Sequence, residues 1–369
     1  MANYSLHRFL LMTLDPVHVG TGGYRLGRVD NSIIREPGTN IPKIPGTSIS
    51  GALRQYAAYR YGKLQCAGKG DTAGKDKHCG KPTCPICYTF GYAKGEEGGY
   101  SGTVNIFDAN ILLFPVHSMA GPVWVTTKSC LEHADIDVKF STANGEIINF
   151  EQKDETLITT LDWNQSLNLG WLMLEQAKKN GNDVNIVLVF PQAKESREWG
   201  AVSNRIVLVT DKVFSQVVNS NLEVRTSVSI DPFTGAAEEG ALFTYEAIPR
   251  TTWLIMDIVF DDYRNNFPSI KEWKDKLSND DKNEKEKIFK ALSLKSKDDV
   301  KFNNSLIQAL EVVTTEYDRY YNKSKVEWQD LNSILADALK YCEFLGVGGM
   351  GTRGFGRISS LANWEVTNE

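Results

Sequence analysis

Residues 326–358, "VEWQDLNSILADALKYCEFLGVGGMGTRGFGRI", decide the fold. Leu331, Ile334, Leu335, Ala338, Leu339 and Cys342 recur at the helical period and form one apolar stripe. The helix runs into six glycines within residues 345–358, and "FGRISSLANWEV" then reads as a closing strand. Glycines let a backbone approach a ligand closely and present its N–H groups to anions. Arg353 and Arg357 can grip phosphates, and the loop has no acidic residue. The order helix, loop, strand separates this segment from a P-loop or a dinucleotide fingerprint. A plain connector is the alternative, but six glycines cost entropy that a connector does not need.

The start of the chain mirrors this end. "YSLHRFLLMTL" (4–14) is β-compatible, "GTGGYRLGRVDN" (20–31) is loop, and "SIIRE" (32–36) is a short strand. In "PGTSISGALRQYAAYRYG" (45–62), Ile49, Leu53, Tyr56, Ala57 and Tyr61 follow the helical period, with Thr47 or Ser48 as cap. Between the two ends lie apolar β-type runs at 103–116, 184–190, 204–209 and 251–260. A long hairpin spans 221–249, with a Pro- and Gly-containing turn. Residues 261–301 carry dense charge of both signs and read as a solvated helical insertion.

Strand–helix at one end and helix–strand at the other predict an α+β, ferredoxin-like (RRM-like) βαββαβ palm with large insertions. The chain is read as one elaborated domain, with the palm drawn from 1–62, 103–220 and 326–369. The insertions are a cysteine-rich segment (63–102), a β-hairpin (221–250) and a helical segment (261–325).

The formal net charge of −5 argues weakly against nucleic acid, but its distribution does not. Residues 1–95 hold thirteen Lys or Arg against five Asp or Glu, a balance of +8, so the remainder carries −13. No apolar run approaches the roughly 20 residues of a membrane helix, and the first apolar run is too short for a signal peptide. A cytoplasmic protein with no membrane partner is expected.

Four of the six cysteines fall in one segment, as Cys66-x12-Cys79-x4-Cys84-x2-Cys87. Clustered cysteines in a cytosolic chain point to metal more than to disulfides. Four thiolates close a tetrahedral structural zinc site, and His78 is a possible substitute for one of them. Free thiols are the alternative.

Other segments offer anion contacts. A helix starting at Gly46, Thr47 and Ser48 presents N–H groups and hydroxyls, with Lys43 and Arg54 adding charge. A well-capped ordinary helix fits the same residues. Asp30 lies beside Arg25 and Arg28, with no second carboxylate before Glu36. In a ribonuclease such a group ligates one Mg²⁺ or takes the proton of a ribose 2′-OH. His18 can shuttle a proton or contact phosphate. On spacing alone, however, a loop aspartate is a turn former and a lone histidine is structural.

Four stretches together resemble the RAMP superfamily, and most closely the backbone subunits of type III-B (Cmr) CRISPR effector complexes. They are "HVGTGGYRLGRVDNSIIRE" (18–36) leading to "IPGTSISGALR" (44–54), "IFDANILLFPVHSMAGPVWVTTKSCL" (106–131), "TGAAEEGALFTYEAIPR" (234–250) and "LGVGGMGTRGFGRI" (345–358). The resemblance implies a subunit that stacks with further copies of itself and with other Cmr subunits along a guide (CRISPR) RNA. It implies a thumb hairpin that displaces nucleotides of the complementary target RNA, and a loop aspartate that cuts beside each displaced one with Mg²⁺ or Mn²⁺. Asp30 matches that aspartate and His18 the histidine that opens its loop. Residues 224–249 match the thumb, with Arg225 and Phe243 as its RNA contacts. Gly46, Thr47, Ser48, Gly348, Gly349, Gly351, Arg353 and Gly354 match the guide-contacting palm. His117 stands where the family pattern has arginine, and the cysteine cluster is not a feature of every member. A non-catalytic backbone subunit and a guide-processing endoribonuclease are the alternative functions.

Overall fold

A computed structural model describes residues 4–22, 29–68, 78–81, 83–95, 98–142, 144–190, 192, 196–279, 281–292, 306–315 and 328–366. Arg25 and Arg28 lie outside these residues.

The palm is built on four long strands. Tyr4–Thr13 lies between Trp253–Asp261 and Ile358–Glu365, and Val104–Ser118 flanks Trp253–Asp261 on its far side. All three pairings are antiparallel. In chain order the strands therefore lie 2-3-1-4, the arrangement of a split βαβ, ferredoxin-like core. The sheet continues past Val104–Ser118 through Gly121–Thr126, Ile206–Leu208 and Thr156–Thr159.

The two predicted helices, Gly46–Arg60 and Leu331–Leu345, cover one face of this sheet. Ile49, Leu53, Ala57, Ile334, Leu335 and Ala338 pack against Phe9, Leu11, Leu254 and Met256. Polar bonds join the helices where that apolar seam ends. Tyr61 and Arg60 both donate to Asp337, at 3.0 and 3.1 Å. The opposite face is covered by a four-stranded sheet that includes Asp137–Thr142 and Asn182–Val189. Phe140, Val184 and Ile186 there meet Leu10, Leu112, Trp253 and Ile255. Successive residues of a strand face opposite ways, so a strand covered on both faces must be apolar throughout. That is why "TTWLIMDIVF" shows no alternation.

Three expectations change. Residues 32–36 form isolated bridges (Gly20 to Ile33, Arg35 to Pro42) rather than a strand. The N-cap of the first helix is Pro45 with no side-chain cap, so neither Thr47 nor Ser48 caps it. Asp108 instead accepts the Gly46 N–H at 2.8 Å. The charged insertion contains helices Ile270–Ser278, Lys282–Ala291 and 306–315, and it is not merely solvated. Trp273, Leu277, Ile288, Phe289 and Val313 are buried in the main core beside Trp328. Charge on the outer faces of these helices masks an apolar inner side.

Candidate functional site

The hairpin pairs Glu223–Ile230 with Ala237–Ala247 and stands off the palm as a separate two-stranded sheet. Its outer part carries exposed apolar side chains among polar ones, with Phe233 97 % and Leu242 62 % exposed. Its base is where the Asp30 loop lands. Asn31 bridges Tyr245 in parallel, donating to the Thr244 carbonyl and accepting from the Glu246 N–H, both at 3.0 Å.

Asp30 is exposed, and one of its oxygens is held. Oδ2 accepts from the Thr244 N–H and from the Thr244 hydroxyl, each at 2.8 Å. That hydroxyl in turn accepts the Asp30 N–H at 2.9 Å. The Thr244 N–H and hydroxyl hold the Asp30 carboxyl below the usual carboxylate range, so it is ionised at neutral pH. Among the described residues nothing bonds Oδ1. Asp30 is thus tied across the fold to the hairpin.

A buried ion pair lies under this junction. Arg35 meets Glu246 at 2.6 Å, with side chains 20 % and 11 % exposed. Glu246 also accepts the Ile33 N–H at 3.3 Å, and Arg35 donates to Asn219 at 2.9 Å. Sequence reasoning missed Thr244, Glu246 and Arg35. The available signal was polar residues at alternate positions, Thr244 and Glu246, inside the quoted "LFTYEAIP".

His18 is enclosed, only 7 % exposed. Its Nδ1 lies 2.6 Å from the Glu246 carbonyl, and its ring meets Tyr245 edge-on with centroids 5.8 Å apart. Its own carbonyl accepts the Gly349 N–H at 2.9 Å. The residue is a joint between hairpin base and glycine-rich loop.

That loop is shaped by specific close approaches. Gly348 has φ +90°, and a Cβ there would sit 2.5 Å from the His18 carbonyl oxygen. Gly348→Ala is therefore expected to destabilise the protein by about 1–3 kcal/mol. A melting temperature equal to wild type would contradict this. The loop closes through Val347 N–H to Gly356 carbonyl and Gly356 N–H to Pro16 carbonyl, both 2.8 Å. Gly348, Gly349 and Gly351–Gly354 remain exposed. Arg353 reaches Tyr245 Oη at 3.4 Å, and Arg225 stacks over Phe355 at 4.8 Å. Asp30, Thr244, Arg225, Phe243, Tyr245 and Arg353 are thus linked through the hairpin base, where Arg225 is also paired with Glu223 at 2.5 Å.

Other expected anion contacts are otherwise engaged. Lys43 is paired with Asp108 at 2.6 Å and with Glu36, which raise its pKa. Arg54 donates to the Cys66 and Gly91 carbonyls at 2.7 and 2.8 Å. Arg357 is bound by Asp15. Gly46 is buried, while Thr47 is exposed.

The structure gathers the four clustered cysteines into one group, with all their sulfurs within 4.8 Å of one another. Cys66 lies 3.4 Å from Cys79, 3.7 Å from Cys84 and 3.6 Å from Cys87, and Cys79 lies 3.7 Å from Cys87. Sulfurs at tetrahedral corners about 2.3 Å from a zinc ion are about 3.8 Å apart. The donor set fits a metal ion. Cys130 and Cys342 stand apart from this group, packed against the core.

Residues 10–359 match the RAMP superfamily. The chain is 30 % identical over 247 residues to the CRISPR system Cmr endoribonuclease Cmr4 of Pyrococcus furiosus, covering 66 % of this chain and 77 % of that protein. It is 35 % identical over 89 residues to the CRISPR system Cms endoribonuclease Csm3 of Methanothermobacter thermautotrophicus, covering 24 % and 33 %. A subunit in the apo state of a type III-B Cmr-beta complex matches with a TM-score of 0.53 at 15 % identity, over 99 % of this chain and 98 % of that one. At that identity the likeness speaks for the fold.

Proposed function

The chain belongs to the RAMP superfamily and to the Cmr4 family within it, and from that premise we propose that it is a backbone subunit of a type III-B CRISPR complex that cuts target RNA with Asp30. Copies of the chain stack along a guide RNA with other Cmr subunits, and the hairpin is the thumb. The observation that carries this reading is the junction at Thr244. A carboxylate with one oxygen held by Thr244, and with no partner for the other among the described residues, is built into the base of a hairpin that carries exposed apolar side chains.

The chemistry follows from that placement. An A-form strand holds each 2′-OH away from the line of attack on its own phosphate. Apolar side chains at the thumb, among them Phe243 and Leu242, displace a nucleotide and free the backbone locally. The 2′-OH then comes in line with the phosphorus, and Asp30 Oδ1 accepts its proton. Arg225 and Arg353 hold neighbouring phosphates. As the O2′–P bond forms, the P–O5′ bond breaks and the leaving 5′-oxygen takes a proton from water, so the products are a 2′,3′-cyclic phosphate and a 5′-OH.

Among the described residues no group of three acidic or histidine ligands forms around Asp30. A Mg²⁺ or Mn²⁺ ion held by Asp30 with phosphate oxygens and water would be the alternative use of that oxygen, in place of taking the proton directly. Bound there, it would supply charge neutralisation at the phosphate. For the cysteine cluster we propose a structural zinc ion, since four thiolates leave no open position.

The test is mapping of fragment ends after cutting by the complex assembled on guide RNA. The reading expects cuts at a constant interval, with cyclic phosphate ends. Cutting of guide precursor by the free chain would favour a processing enzyme. An assembled complex that binds target without cutting would favour a purely structural subunit.

A further inference from the structure

We infer that Thr244 is the positioning residue of Asp30 and that it couples cutting to the seating of the thumb. The inference rests on the reading of Asp30 given above. The Thr244 hydroxyl closes a small ring, accepting from the Asp30 N–H at 2.9 Å and donating to Oδ2 at 2.8 Å. It thereby fixes the main chain and the carboxylate together. With the Thr244 N–H also on Oδ2, that oxygen is occupied and Oδ1 is the one without a partner among the described residues. The carboxylate therefore has a set direction before any RNA arrives, which is what positioned proton transfer needs.

The same strand carries the surface that would meet the target. Phe243, adjacent to Thr244, is 39 % exposed, and Leu242 is 62 % exposed. Thr244 pairs with Thr226 across the hairpin, and Phe243 with Ser227. Asn31 is hydrogen-bonded on both sides of Tyr245, so the Asp30 loop extends the hairpin by one bridge. A nucleotide wedged against Leu242, whose side chain shares a strand face with Thr244, presses on the strand that holds the carboxylate. The aspartate and the wedge form one unit, so a cut falls beside the displaced nucleotide.

The test compares Thr244→Val and Thr244→Ser in the complex assembled with guide RNA. Valine keeps the β-branched shape that suits a strand and deletes only the hydroxyl. A hydrogen bond to a charged group is strong, so Thr244→Val is expected to slow single-turnover cutting at least about tenfold, with target affinity within about twofold of wild type. Thr244→Ser should restore cutting, because it returns the hydroxyl. Wild-type cutting by Thr244→Val overturns the inference, and so does a slow rate that merely follows a loss of target affinity. An Asp30→Ala control separates the two levels. If it does not cut while Thr244→Val cuts normally, only the positioning role falls. If it cuts normally, the reading of Asp30 falls and takes this inference with it.

Discussion

Replacing Asp30 by alanine should stop target cutting while leaving guide and target binding intact. A positioned proton acceptor contributes about a hundredfold to ten-thousandfold in rate, and the Asp30 carboxylate is tied to the base of the hairpin through Thr244. Its removal takes away a carboxylate bonded to Thr244 and does not touch the ion pair between Arg35 and Glu246. The strand bridge at Asn31 uses main-chain atoms and survives the change. Binding should therefore persist, and the loss should appear in the rate of the cutting step alone. Undiminished cutting by the assembled variant would remove Asp30 from the chemistry.

The second large effect concerns the cysteine insertion. One zinc ion per chain is expected, and Cys84→Ser combined with Cys87→Ser should reduce it to near zero. The melting temperature should fall by on the order of 10 °C, because the free energy of binding a structural zinc is folding free energy. The loss reaches the palm through Arg54. This side chain leaves the first helix to bond the carbonyls of Cys66, the first cysteine of the cluster, and of Gly91, four residues past its last. Without the metal those carbonyls lose their fixed positions. Unchanged stability with no bound zinc in the native chain would sink the assignment.

The sequence made the palm legible because its helices keep their apolar stripes, and because the chain enters and leaves by strand and helix in mirrored order. The helix over 331–345 could be read from six residues, and the long hairpin from its turn. The second sheet was harder to read. Its edge pieces, such as Lys178–Lys179 and Ile147–Ile148, are only two residues long and carry no period. At the site, the sequence pointed to Asp30 and to the glycine loop. It gave no sign that Asp30 is bonded to a residue 214 positions away, since such a pairing leaves no local pattern. Lys43 and Arg54 show the converse. Their charge suggested phosphate, but nearby carboxylates and carbonyls occupy them, and only the fold brings those acceptors into reach.

The most direct measurement is a cryo-electron-microscopy map of the assembled complex holding guide and uncut target, prepared with Asp30→Asn. The account predicts a displaced target nucleotide against the thumb near Phe243, and its neighbouring phosphate facing the side chain at position 30, directly or through one ion or water. A target strand running elsewhere on the palm, with no phosphate near position 30, would contradict it.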